Sequence, residues 1–139
     1  IPAYLALGAQ YSFDKVRIGG GYHYFWDKDA KGSAIKAGDN SWEVVLGAEW
    51  DIADRWTISC GGQRTELGFA DSDMSDTNFS TSSYGLSIGA AFQINDMLKL
   101  NAGYLHSMFD DHEFTNANGT ACNYTRKSDA FGVSLDFTF

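Results

Sequence analysis

From Tyr84 to Ile94 every second residue is apolar (Tyr84, Leu86, Ile88, Ala90, Phe92, Ile94), and the residues between, Gly85 to Gln93, are small or polar. A period of two puts the two sets on opposite faces of a β-strand. Phe131, Val133, Leu135, Phe137 and Phe139 alternate in the same way with Gly132, Ser134, Asp136 and Thr138. So do Trp42 to Ile52 against Glu43, Val45, Gly47, Glu49 and Asp51, and Val16 to Trp26 against Arg17, Gly19, Gly21, His23 and Phe25. Weaker runs begin at Leu5 (to Phe13), at Trp56 (to Cys60) and at Leu98 (to Tyr104). The pattern predicts about seven strands, each longer than the usual 5 to 6 residues.

Alternation alone fits a soluble cup or sandwich as well as a membrane barrel, so the composition of the apolar face decides. Its aromatics gather at the strand ends: Phe13, Trp50, Trp56, Phe92, Phe137 and Phe139 at one level, Trp26, Trp42 and Tyr84 at the other. Two aromatic belts around an aliphatic band suit a bilayer with two interfaces. The joins also alternate. Asp14-Lys15, Ala53-Asp54-Arg55 and Asn95-Asp96 are tight, whereas Asp27 to Ser41, Asp71 to Ser80 and Asp110 to Asn123 are long. Short turns at one rim and long loops at the other form the outer-membrane pattern, with the tight turns and Phe139 periplasmic and the long loops extracellular. The fold expected is all-β, a transmembrane antiparallel β-barrel.

Seven is odd, whereas single-chain bacterial barrels have even strand numbers, and a strand from Tyr4 would start at the extracellular rim. Residues 1–139 are therefore expected to be the C-terminal part of one barrel domain. Its missing strands would come from the rest of the polypeptide or a second chain, because open sheet edges are not tolerated in lipid.

Composition agrees: 15 Gly, 10 Phe, 7 Tyr and 4 Trp with one Pro favour strands over helices. A formal net charge of -8 argues against a nucleic-acid partner. No apolar run reaches the roughly 18 residues of a spanning helix. The mean hydropathy of -0.27 carries no weight, because a barrel strand shows lipid only half its residues. Cys60 and Cys122 lack zinc-site spacing, and strand-to-loop placement predicts two free thiols.

The stretches VRIGGGYHYFWDKDA, LGAEWDI, GGQRTELGF, LSIGAAFQINDMLKLNAGYLHSMFDD and FGVSLDFTF together resemble the C-terminal half of the FadL-like outer-membrane transporters for long-chain fatty acids and other hydrophobic compounds. The ending also resembles the signal read by the barrel-assembly machinery, with Phe139 last. The resemblance implies a fourteen-stranded barrel closed by an N-terminal hatch, with this chain as the last seven strands. It implies passive uptake of a hydrophobic small molecule (a fatty acid or detergent) without cofactor, metal or covalent chemistry. Membrane lipids and lipopolysaccharide are its expected surroundings.

Parity places Arg17, His23, Glu43, Glu49, Asp51, Gln63, Lys99 and Asn101 in the lumen. Pairing of Arg17 with Glu43 and Glu49 across strands is their structural use, and lining a substrate path their functional one. His23 and Phe25, near the outer end of a strand, are the expected ligand contacts. Two alternatives stay open. One is a small-solute porin or structural barrel. The other is a barrel hydrolase built on Asp110, Asp111 and His112 at the rim, with Asp71, Asp73 and Asp76 opposite, although solvated or lipid-bridging acidic loops account equally for these residues. A soluble lipid-binding barrel is a poorer fourth.

Overall fold

A computed structural model describes residues 3–29, 37–68, 81–115 and 121–138. Its strands are β1 (Tyr4–Phe13), β2 (Val16–Phe25), β3 (Ser41–Ala53), β4 (Trp56–Glu66), β5 (Ser83–Asn95), β6 (Leu98–Phe109), β7 (His112–Thr115), β8 (Ala121–Tyr124) and β9 (Lys127–Phe137). Seven form one antiparallel sheet in the order β1-β2-β3-β4-β5-β6-β9, and β7 and β8 make a separate hairpin. All seven strands of the periodic reading are present, with two additions. β4 runs on to Glu66 because Gln63 and Thr65 bond to Glu43 on β3 although Gly61-Gly62 interrupts the apolar alternation. The join after Asp110 is not all loop: it holds the β7–β8 hairpin, whose four-residue strands are too short to show a period.

Each neighbouring pair is in register over most of its length, with irregularities only beside the tight turns, at Asp51/Ala53 and Gln93/Asn95. Asp14 turns β1 into β2 at φ 47°, a left-handed conformation that Asp tolerates better than most residues. The row of paired residues that leaves this turn at Val16 passes through Trp50, Ile58, Ala90 and Ala102 to Val133, which lies mid-strand in β9. Successive hairpins are thus staggered along the strand direction, as the walls of a tilted barrel are.

Among the described residues no apolar side chain is buried. Phe131 is 75% exposed, Tyr11 69%, Ile88 65% and Leu46 62%, all on the apolar face. The accessible surface is 9870 Å², against about 7,100 Å² for a folded soluble protein of this mass. A sheet with no core holds together in water only if something else covers its apolar face. Every residue of β1 and of β9 is exposed, so both edge strands present unpaired backbone groups.

Candidate functional site

Two polar networks stand on the other face, both on β2, β3 and β4. In the first, Arg17 lies opposite Glu49 in register, and its Nε donates to Glu49 Oε2 at 2.8 Å. Its two terminal nitrogens fork onto Asp51, Nη1 to Oδ2 at 2.8 Å and Nη2 to Oδ1 at 3.0 Å, and the Thr57 hydroxyl adds a bond to Oδ1 at 2.6 Å. The fork is the geometry in which an Arg–carboxylate pair gains specificity. Glu49 keeps 53% of its side chain exposed, so the network is built for a wet surface and its net contribution to stability is small.

The second network centres on Glu43. His23, its register partner, places Nδ1 3.1 Å from Oε1, while Gln63 Nε2 (2.8 Å) and the Thr65 hydroxyl (3.0 Å) donate to Oε2. His23 meets the Phe25 ring edge-on at 6.5 Å, and Phe25 stacks on Tyr4 at 6.1 Å. The expected link between Arg17 and Glu43 does not form. Glu43 sits six residues from Glu49 along β3, roughly 20 Å away at strand rise, and register hands it to His23 instead.

Between the networks lies a concavity of about 640 Å³, lined by Arg17 and Glu49 at one end and by His23 and Gln63 at the other. Its floor is a row of three glycines on three neighbouring strands, Gly19, Gly47 and Gly61, with Val45, Ser87 and Leu105 beside them. A Cβ on Gly47 would come no nearer than 3.6 Å to any atom, and one on Gly19 likewise. Those two positions could carry a side chain without straining the sheet, and carrying none leaves the concavity open. Gly61 is different: a Cβ there would meet Ser87 Oγ at 2.9 Å and Leu46 O at 3.2 Å.

Lys99 and Asn101 share the polar face but not this concavity. Asn101 Nδ2 donates to Asp136 Oδ2 at 2.8 Å, and Lys99 lines a smaller concavity of about 340 Å³ at the tight-turn end. At the opposite end the rim carboxylates have bonding partners. Asp110 takes the Arg64 guanidinium at 3.0 Å, Asp111 accepts from Thr125 at 2.7 Å, and Glu113 accepts from Asn123 at 3.2 Å. Asp71, Asp73, Asp76 and Phe139 lie outside the described residues. Cys60 is exposed in mid-strand on the apolar face, and no disulfide joins it to Cys122.

One polar group was not anticipated from the sequence. On the apolar face, at the long-loop end, the Tyr104 hydroxyl donates to Asp129, and His106 Nδ1 stands 2.7 Å from the same oxygen. Nearby on that face, Arg64 pairs with Glu66 and lies 3.9 Å over the Tyr84 ring. The available signal was the switch from apolar to polar on alternate positions after Tyr104 in β6 and before Phe131 in β9.

No curated protein sequence matches the chain. Among solved structures it is similar to the crystal structure of a Pseudomonas aeruginosa FadL homologue, with a TM-score of 0.73 and 19% identity. That match covers 98% of this chain and 35% of the other, so the chain spans about a third of that protein's length. The expected likeness to FadL-like barrels therefore holds as a likeness of fold. The sequence model of the Gram-negative porins matches residues 2–112. With a seven-stranded antiparallel sheet, an uncovered apolar face and a polar face of cross-strand networks, the chain belongs to the Gram-negative porin family of the bacterial outer membrane.

Proposed function

We propose that residues 1–139 are the C-terminal wall of a barrel that passes hydrophobic small molecules, such as long-chain fatty acids, by diffusion and without covalent chemistry. The observation that carries this reading is the concavity floored by Gly19 and Gly47, lined mainly by glycine and apolar residues along its length and by charged and polar groups at its ends. A molecule with an extended apolar body of roughly 20 Å fits between the Arg17 and Glu43 networks. In this reading the tight turns face the periplasm and the long loops the outside, as in other barrels of this membrane. β1 and β9 then run in the same direction. Two like-oriented copies could not close an antiparallel ring, so the remaining wall has an odd number of strands whose edge strands both run the other way.

The test is Gly47→Leu in the full-length protein in its own membrane. Uptake of a labelled long-chain fatty acid falls at least tenfold while the amount of folded barrel is unchanged. Uptake equal to wild type would remove the concavity from the path. A second reading, an open small-solute porin, draws on the family match and on the half-exposed charges of the polar face. It is separated by conductance: a barrel for hydrophobic cargo gives little steady ion current in a planar bilayer, and a porin gives steps that Gly47→Leu narrows.

A further inference from the structure

The tight-turn end of the polar face holds three cations that the networks above do not use. Lys15 and Arg55 sit two residues before Arg17 and Thr57, and Lys99 follows the next tight turn. All three line the concavity of about 340 Å³ together with Gln93 and Asp54. Their backbones are held: Asp51 N–H donates to Lys15 O and Gln93 N–H to Arg55 O, each at 2.9 Å, extending the ladder into the turns.

Among the described residues none of the three forms an ion pair, whereas Arg17 on the same face is paired twice. Two acids are candidate partners for Lys99: Asp51, whose oxygens are both taken by Arg17 and one also by Thr57, and Asp136, opposite Lys99 in register, whose Oδ2 accepts from Asn101. Asp54 is the other acid on the lining; Asp14 and Asp96, in the adjoining turns, are not part of it. On the lining itself three cations face one uncommitted carboxylate, Asp54, across a space large enough for a head group.

We propose that Lys15, Arg55 and Lys99 form a binding site for the anionic head of an amphiphile, a carboxylate carried on an alkyl chain, at the tight-turn mouth of the passage. The site rests on the passage proposed above, because the chain of the amphiphile would lie toward the glycine floor. Arg17, Glu49 and Asp51 are the link between the two spaces: the first two line the larger concavity and the third the smaller. From Gly47 to Asp51 is about 14 Å along β3, within reach of a twelve-carbon chain. The mouth then favours an anion at the end of the path, after a route whose charged groups already have partners across the strands.

Equilibrium binding of radiolabelled dodecanoate and dodecanol to the purified full-length barrel tests this. Neutralising all three cations (Lys15→Gln, Arg55→Gln, Lys99→Gln) weakens dodecanoate binding about tenfold at low salt and leaves dodecanol unchanged. Lys99→Gln alone gives a smaller loss that Lys99→Arg restores, and it guards against a folding defect in the triple variant. Acetate in large excess does not displace dodecanoate; if it does, the site takes small anions and the amphiphile assignment is overturned. Dodecanoate bound equally by wild type and triple variant, yet weakened by Gly47→Leu, overturns the site and keeps the passage. No binding of either compound to wild type overturns both.

Discussion

The wall made by β2, β3 and β4 carries its mid-wall networks on the polar face, whereas the wall made by β6 and β9 carries a cluster of ionisable groups on the apolar one. On β2–β4 the ion pairs Arg17–Glu49 and Arg17–Asp51 and the His23–Glu43 contact stand on the polar face; the apolar face of β2 and β3 is uninterrupted from Val16 to Trp26 and from Ile52 to Trp42, and β4 carries the Arg64–Glu66 pair on it only at the long-loop end. On β6–β9 the polar face keeps its charges, Lys99 and Asp136, at the tight-turn end, and a Tyr104–Asp129–His106 group stands on the apolar face. That difference is one of height. The outward group sits at the long-loop end, near the belt of Trp26, Trp42 and Tyr84, which in the barrel proposed above would lie at the level of the lipid head groups rather than in hydrocarbon. Below it Phe131, Val133 and Leu135 are as apolar as anything on β3.

The comparison breaks most visibly in mid-strand. Leu46 on β3 and Val133 on β9 are both outward and 62% and 60% exposed. If both walls face hydrocarbon there, Leu46→Arg and Val133→Arg each cost about 2–4 kcal/mol of unfolding free energy in lipid vesicles. Urea titration of the full-length barrel measures both. Val133→Arg tolerated beside a damaging Leu46→Arg would mean that the β6–β9 wall faces water or a protein partner.

This also marks where sequence reading succeeds. Strand positions, faces and tight turns followed from period two, because burying one face in lipid and wetting the other imposes that period on every strand. Which inward groups meet did not follow. Parity put Arg17, Glu43 and Glu49 on one face, but only register shows that Glu49 is opposite Arg17 and Glu43 opposite His23. The cations of the tight turns were invisible as a group, since Lys15, Arg55 and Lys99 are scattered in sequence and are gathered by the stagger of the hairpins.

A smaller effect sharpens the seam where the two walls meet. At β4–β5 two glycines face serines in register, Gly61 opposite Ser87 and Gly89 opposite Ser59. A Cβ on Gly89 would meet Ser59 Oγ at 2.6 Å and Ala102 O at 3.3 Å, and Gly61 is similarly crowded. The hydroxyls can rotate away, but the carbonyls belong to the ladder. Gly89→Ala and Gly61→Ala are each expected to cost on the order of 1 kcal/mol. Gly47→Ala and Gly103→Ala, with no atom nearer than 3.6 Å, leave the urea midpoint near wild type. An equal loss at all four positions would mean that glycine serves sheet curvature everywhere, and that the open floor at Gly47 is incidental.

The smallest effect belongs to the outward polar group itself. Asp129 keeps 60% of its side chain exposed, and a pair so placed is screened by salt and by head groups. Asp129→Asn removes the charge and keeps an acceptor for the Tyr104 hydroxyl, so the midpoint in lipid vesicles should not move measurably, at low salt or high. The opposite result, a marked stabilisation by Asp129→Asn that grows in vesicles of longer acyl chains, would place the group inside hydrocarbon. A carboxylate at that depth would need a partner covering it, and β6–β9 would then be a contact surface of the barrel rather than a wall bathed in lipid.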